Sequence, residues 1–257
     1  MSVAKDRRQF GAADGAQNSW EFGLQAICPE SCSPSASLAP QKFITEALKA
    51  LTPNIPIFGE ELGCEGINNV STYWLIDPID GTTWYRLGMP IYGSLIALVH
   101  NGEPIIGTAG LPALNQLCYA AKGEGCYFYD NGKTEKIVSR SGCVTHLSQA
   151  IVTASGIHGS STWLENGDTP WQLITIIKDA KLFKFSGDCI QHIALIRGKS
   201  DVSIDTIMKP WDSAPLIICL REAGMFVSDL YGNNKNLLQS NHLLSACNAE
   251  RSFDRCF

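Results

Sequence analysis

The stretch LIDPIDGTTW (Leu75–Trp84) places two aspartates, Asp77 and Asp80, three residues apart around a proline and directly after an apolar run. Carboxylates at this spacing are typical of metal ligands, because carboxylate oxygens bind hard divalent cations. Asp, Pro and Gly are also the residues that turns favour. The stretch by itself therefore leaves a metal site and a turn as alternatives.

Further acidic residues lie where other elements are predicted to begin or end. Glu60 and Glu61 follow the apolar IPIF, and Asp212 lies in KPWDSAPLIICLREAG at the predicted start of a helix, with Pro215 inside its first turn. Aspartate is a common N-cap residue and interacts favourably with the helix dipole, so a purely structural role for Asp212 is the alternative.

If the carboxylates of these three stretches converge, each pair repels by roughly 1 to 4 kcal/mol at contact distance. Cations would make such an arrangement tolerable, and an all-oxygen ligand set favours Mg²⁺ over zinc. The Ile79 carbonyl is a further oxygen donor, and the N–H groups of Gly81 and Thr82 are placed to contact an anion. The pattern predicts a magnesium site that holds a phosphate, with Thr82 orienting a water.

These residues resemble the inositol monophosphatase family. DPIDGTTW and KPWDSAPLIICLREAG match its two signature motifs, GEE is its third element, and the resemblance runs from about Gln41 to Cys247. It implies a layered αβαβα sandwich, usually a homodimer and often sensitive to lithium, that hydrolyses small phosphomonoesters with two or three Mg²⁺ ions.

The resemblance also implies the roles of individual residues. The metal ligands that it implies are Glu60, Asp77, Ile79 (through the carbonyl), Asp80 and Asp212. The catalytic residues that it implies are Glu60, Asp80 and Thr82. The substrate contacts that it implies near the phosphate are Gly81, Thr82 and Asp212.

Two further acids are candidates for binding the alcohol part of the substrate. Asp188 lies in a G-D-C segment that resembles histidinol-phosphatase members of the family, and Asp205 falls where the family often has an acidic substrate contact. Two acids favour a cationic alcohol such as histidinol through charge-assisted hydrogen bonds, although they could also accept protons from inositol hydroxyls. The structural alternative is that Asp188 caps the following helix.

The elements that must position these residues alternate between helices and strands, which predicts an α/β protein without internal repeats. QKFITEALKAL has helical periodicity, and HNGE and Asn131-Gly132 predict β-hairpin turns. We predict a phosphatase domain over residues 39–257, hairpin-rich to about 140 and mixed from about 141. Residues 1–38 lack periodicity, and we predict that they are an atypical, disordered segment.

Composition limits the partners of the chain. The net charge of −5 without a Lys/Arg cluster argues against nucleic-acid binding, and no run is apolar enough to span a membrane. The ten cysteines are scattered, without C-x-x-C pairs, and we do not expect a signal peptide. We therefore expect free thiols, a cytoplasmic location and a small phosphomonoester as the partner.

One position departs from the family pattern. The T-x-x-D motif, whose Asp helps activate water, falls on SPSASLAP with Pro34 at the Thr and Ser37 at the Asp. A serine does not supply the charge of a carboxylate. The alternative function is therefore a catalytically impaired, metal-binding member that acts through protein contacts.

We predict that the unmodified chain binds Mg²⁺ but hydrolyses slowly, and that Ser37→Asp raises its rate, because general-base assistance is worth about 10²- to 10⁴-fold. Phosphate release under saturating Mg²⁺ measures this. Ser35→Asp, which adds the same charge two residues away, is the control. Rapid turnover by the unmodified chain that Ser37→Asp leaves unchanged would show that another group takes the proton.

Overall fold

The computed structural model describes residues 38–138, 144–156 and 173–247, and these contain two β-sheets. The first sheet has seven strands in sequence order: β1 (Ile57–Gly59), β2 (Thr72–Asp80), β3 (Gly93–His100), β4 (Glu103–Leu111), β5 (Gln116–Ala121), β6 (Gly125–Asp130) and β7 (Lys133–Ile137). β1 pairs with β2 in parallel, and every later pair is antiparallel.

Both predicted hairpin turns are confirmed. Asn101 and Gly102 join β3 to β4 with φ of 51° and 77°, and Asn131 and Gly132 join β6 to β7 with φ of 47° and 93°. Two consecutive positive φ angles are typical of the type I′ turn, which matches the twist of the flanking strands. Asparagine followed by glycine is the pair that adopts these angles most readily.

The second sheet has five strands in the order β11-β12-β10-β8-β9. β8 pairs in parallel with β9 and β10, and β12 pairs antiparallel with β10 and β11. Their bounds are β8 (Ile151–Ala154), β9 (Leu182–Phe185), β10 (Val202–Asp205), β11 (Phe226–Ser228) and β12 (Leu243–Ala246).

Within the described residues, five α-helices cover these sheets: α1 (Leu38–Leu51), α2 (Thr82–Arg86), α3 (Leu173–Asp179), α4 (Asp188–Ile196) and α5 (Pro210–Glu222). Apolar residues of α1 pack on one face of the first sheet, and those of α5 pack on the other face. α4 lies between the sheets beside α5, and α3 covers the far face of the second sheet. These layers confirm the predicted αβαβα sandwich.

Three features of the first sheet and its connections were not predicted. β1 is only three residues long, and β7 is largely exposed, so neither carries the apolar alternation that indicates a strand. The five-residue helix α2 is too short for a helical period to show in the sequence.

The start of α5 differs from its prediction. The helix begins at Pro210, with Lys209 as the N-cap, so Asp212 is the third helical residue and Pro215 lies beyond the first turn. Proline suits the first position of a helix, because its missing N–H has no partner there in any case. The Oδ2 atom of Asp212 accepts a hydrogen bond of 2.7 Å from the Lys209 N–H, which satisfies the backbone donor at the N-cap.

α5 lies directly against β4, and Gly107 makes this approach possible. A Cβ at position 107 would overlap the Ile218 side chain and lie 2.7 Å from the Pro215 carbonyl oxygen. Since that carbonyl is part of the helix backbone, an added methyl group would have to displace α5 from the sheet.

We predict that Gly107→Ala destabilises the chain by about 1 to 3 kcal/mol, the usual cost of overpacking a core. The midpoint and slope of urea unfolding measure this. Gly110→Ala on the same strand is the matched control, because its Cβ would meet no atom closer than 3.7 Å. Equal stability of the two variants would contradict the close packing of α5 on β4.

Candidate metal centre

The end of β2 turns two buried aspartates toward the same side of the sheet. Asp77 pairs with Leu95 and Asp80 with Gly93, so the ladder gains one residue between them. In a regular strand, residues three apart face opposite sides, whereas one extra residue restores the same side. Pro78 lies within this irregularity, where its missing N–H removes nothing from the ladder. The predicted spacing of the pair therefore brings both carboxylates to one site.

The N-terminal turns of two helices complete the acidic site. Asp77, Asp80 and Asp212 each have a carboxylate oxygen within 4.8 Å of the others. Asp77 and Asp80 are buried, with 3% and 8% of their surface exposed, and Asp212 is half-buried. The Cys189 N–H in the first turn of α4 donates a hydrogen bond of 2.7 Å to Asp80 Oδ2. The positive ends of α4 and α5 thus face the carboxylates and offset part of their charge.

Local hydrogen bonds hold the backbone that follows Asp77. The Ile79 N–H donates to Asp77 Oδ1 over 2.9 Å, and the Thr82 hydroxyl donates to the Ile79 carbonyl over 3.0 Å. A carbonyl oxygen has two lone pairs, so this bond leaves Ile79 able to bind a cation as well. The proton of Thr82 is already used, so Thr82 would orient a water by accepting a hydrogen bond from it.

Gly81 and Asp188 are in close contact. Gly81 has a φ of 79°, and a Cβ there would lie 2.8 Å from Asp188 Oδ2, so both its conformation and its surroundings require glycine. Gly187 is the N-cap of α4, which makes Asp188 the first helical residue and corrects the alternative in which Asp188 is the N-cap. Asp188 itself has a φ of 41°, in the left-handed region that non-glycine residues rarely adopt.

Glu60 and Asp205 differ in burial: Glu60 is exposed, whereas Asp205 is buried. Glu60 follows β1 and is exposed at the rim, and its charge is one of the causes that raise the pKa of Asp77. Asp205 is 4% exposed at the end of β10, and its two oxygens accept hydrogen bonds from Ser155 (2.7 Å) and Gln191 (3.2 Å). Both carboxylate oxygens of Asp205 thus accept hydrogen bonds from other side chains of the protein. The role of Asp205 in substrate binding stays a prediction.

Crowding of carboxylates raises their pKa values. The pKa of Asp77 lies well above its usual range, first because of burial and then because of the charges of Asp80 and Asp212. Burial likewise raises the pKa of Asp80, with the Asp188 charge as the next cause. Burial raises the pKa of Asp212 to about 7, although the Lys209 N–H lowers it. No lysine or arginine within residues 38–138, 144–156 and 173–247 forms an ion pair with these three aspartates.

The donor set fits a hard divalent cation. Its members are carboxylate oxygens, joined by the Ile79 carbonyl, which are the ligands that Mg²⁺ prefers. Ser37, the position of the family's further carboxylate, lies outside the described residues. The role of the Cys189 N–H was not predicted from the sequence, although a Gly-Asp-Cys run before an apolar helix is a signal for an N-terminal turn.

Comparisons with known proteins show the family to which the chain is similar. Residues 32–255 match the model of the inositol monophosphatase family. The chain is 31% identical over 209 residues to a histidinol-phosphatase of Chlorobaculum parvum, covering 81% of this chain and 76% of the relative. It is 33% identical over 199 residues to an inositol monophosphatase of Dictyostelium discoideum, covering 76% and 70%.

A solved structure shows the same fold. The crystal structure of inositol monophosphatase II from Staphylococcus aureus superposes with a TM-score of 0.77 at 22% identity, covering 95% of this chain and 94% of that chain. As for membranes, none of the helices in the described ranges combines the length and the apolar character needed to cross one.

We predict that Mg²⁺ raises the melting temperature of the chain more at higher pH. Without a cation, the folded carboxylates bind protons more strongly than the unfolded chain, whose aspartates titrate near pH 4. Stability in EDTA should therefore fall as the pH rises from about 4 through about 7, the folded pKa of Asp212. Mg²⁺ binds the ionised form, so its stabilising effect should grow over this window.

Thermal melts at about pH 5 and about pH 8, each with Mg²⁺ and with EDTA, measure this difference. Asp80→Asn should abolish most of the Mg²⁺-dependent shift. Asp179→Asn, at the exposed end of α3, is the matched control and should keep it. A full shift in Asp80→Asn would contradict the assignment of Asp80 as a ligand.

Proposed function

The chain belongs to the inositol monophosphatase family, and on this premise we propose that it is a Mg²⁺-dependent phosphomonoester hydrolase with histidinol phosphate as its substrate. The observation that carries the proposal is the convergence of Asp77, Asp80 and Asp212 within 4.8 Å at a buried strand end. Phosphoryl transfer needs mainly positioning and neutralisation of charge, and such a site serves both.

The residues present fit the cation that the family implies. Asp77, Asp80 and Asp212 would hold Mg²⁺, with the Ile79 carbonyl and Glu60 as further donors. When bound, Mg²⁺ neutralises the phosphate, lowers the pKa of water and stabilises the charge on the leaving oxygen.

The other residues of the chain act on the phosphate and the water. The N–H groups of Gly81 and Thr82 bind phosphate oxygens at the start of α2, where φ of 79° at Gly81 exposes consecutive N–H groups. Thr82 accepts a hydrogen bond from the attacking water, because its own proton is donated to the Ile79 carbonyl. With Ser37 at the position of the family's further carboxylate, Glu60 at the rim is the acidic group left to receive a proton from that water, and because Glu60 also binds the cation we expect this transfer to be slow.

Asp188 supports the choice of a cationic alcohol. Its carboxylate lies against Gly81, next to the groups that would bind phosphate, so it is positioned to contact the alcohol of the same ester. A cationic group there would offset the negative charge of Asp188, which raises the pKa of Asp80. Histidinol carries an ammonium group, whereas inositol does not.

Inositol 1-phosphate is the second candidate, supported by the Dictyostelium discoideum relative, which is named an inositol monophosphatase. The impaired, metal-binding member is the third, and Ser37 is the observation that favours it. Phosphate release from histidinol phosphate and inositol 1-phosphate, each with Mg²⁺ and with EDTA, separates the three. Release from neither ester in Mg²⁺ would contradict the hydrolase. The homodimer, lithium sensitivity and cytoplasmic location stay predictions.

We predict that Asp188→Asn lowers the preference for histidinol phosphate over inositol 1-phosphate about tenfold, because a hydrogen bond to a charged group is worth about 1.5 to 3 kcal/mol. Asparagine tolerates a left-handed φ, so the variant changes the charge and keeps the backbone. The ratio of kcat/KM for the two esters measures this, with Asp179→Asn as control. Equal losses on both esters would indicate that Asp188 only supports α4.

A further inference from the structure

Three cysteines converge in the core, away from the carboxylates. Cys118 on β5, Cys126 on β6 and Cys219 on α5 are fully buried, and their sulfur atoms all lie within 4.8 Å of one another. The Sγ atoms of Cys118 and Cys126 are 3.5 Å apart. The sequence predicted Cys219 only as a small apolar residue, and its burial is confirmed, but burial alone does not bring three thiols together.

We propose that Cys118, Cys126 and Cys219 form a second metal site, which binds a soft divalent cation of the zinc class. Thiolates bind zinc and related soft ions, whereas carboxylate and carbonyl oxygens suit magnesium. The chain would then hold two sites that differ in the chemistry of their donors. This inference does not depend on the proposed phosphatase activity.

The distances among the donors fit such an ion. With zinc–sulfur bonds of about 2.3 Å, sulfur atoms around one ion are about 3.8 Å apart in a tetrahedral site and about 4.0 Å apart in a trigonal one. The Cys118–Cys126 separation of 3.5 Å is slightly shorter than these values, and the other two sulfur–sulfur separations do not exceed 4.8 Å. The Gly107 carbonyl oxygen is 3.6 Å from Cys219 Sγ, close to a sulfur–oxygen edge of about 3.6 Å for a fourth, oxygen ligand.

A disulfide between the two strand cysteines fits less well. Cys118 lies opposite Phe128 and Cys126 lies opposite Ala120, so the two cysteines are diagonal neighbours two residues out of register. Diagonal neighbours have Cα atoms about 7 to 8 Å apart, whereas disulfides rarely span more than about 6.8 Å. An ion bridges this separation without moving the strands.

The packing of α5 holds the three sulfur atoms in place. Gly107 lets the helix lie against β4, which brings Cys219 to the sheet. The Glu222 carboxylate, one turn further along α5, accepts hydrogen bonds of 2.9 and 2.8 Å from the N–H groups of Gly123 and Gly125. The hairpin that carries two cysteines is thereby fastened to the helix that carries the third.

Cadmium is the spectroscopic probe for this site, because its bonds to thiolates absorb in the ultraviolet. The full chain is unfolded with chelator and a thiol-free reductant, then refolded in excess Mg²⁺, which keeps cadmium from the carboxylates. We expect one Cd²⁺ per chain, with a sulfur-to-metal absorption band that Zn²⁺ removes by competition. A refolded chain that shows no such band would overturn the proposal.

Cys219→Ser should weaken cadmium binding by more than about 100-fold, because even the loss of groups that only support a ligand costs about 10- to 100-fold. Cys64→Ser, at a half-exposed cysteine outside the cluster, is the matched control and should leave binding unchanged. If Cys219→Ser does not refold, Cys118→Ser tests the same ligand set. Unchanged affinity in a folded cluster variant would also overturn the proposal.

Discussion

The repulsion among three aspartates is the constraint on which this structure depends. Asp77, Asp80 and Asp212 have carboxylate oxygens within 4.8 Å of one another, and at such distances each pair of charges costs about 1 to 4 kcal/mol. The fold keeps them together because each belongs to a well-packed element. Two are on β2, the second strand of the first sheet, and the third is on a helix that packs across β4. The energy of that packing maintains a site whose repulsion a bound cation relieves, as do protons at low pH.

α5 connects this site to the interior of the protein. Asp212 lies in its first turn and Cys219 lies seven residues later, which places the two side chains about 10 Å apart along the axis. Between them, Pro215 and Ile218 contact β4 at Gly107. The position of α5 on the sheet therefore determines where both the Asp212 carboxylate and the Cys219 thiol lie. A change at Gly107 would disturb both, although neither group is near it in sequence.

Much of this arrangement could be predicted from local sequence, where one residue type has one favoured conformation. The two Asn-Gly turns, the apolar strands and the acidic motif residues are of this kind. The bulge that puts Asp77 and Asp80 on one side was not predicted, because it depends on pairing with β3. Lys209 was not predicted as the N-cap of α5, because an Asp212 side chain was expected at that position. In the structure, the backbone N–H of Lys209 donates to the Asp212 carboxylate. The hydrogen bonds that occupy Asp205 join three elements, and no local pattern encodes such a contact.

In the proposed function, the phosphate and the alcohol of the substrate would each face a different part of the site. The phosphate end faces β2 and the start of α2, whose residues carry the family motif. The alcohol end faces Asp188, which has a left-handed φ of 41° and whose charge raises the pKa of Asp80. Left-handed backbone in a non-glycine residue costs about 1 to 3 kcal/mol, and strain of this kind is concentrated at functional sites. A cationic group bound against Asp188 would remove the repulsion while the strain remains, so the site gains more from a charged alcohol than from a neutral one.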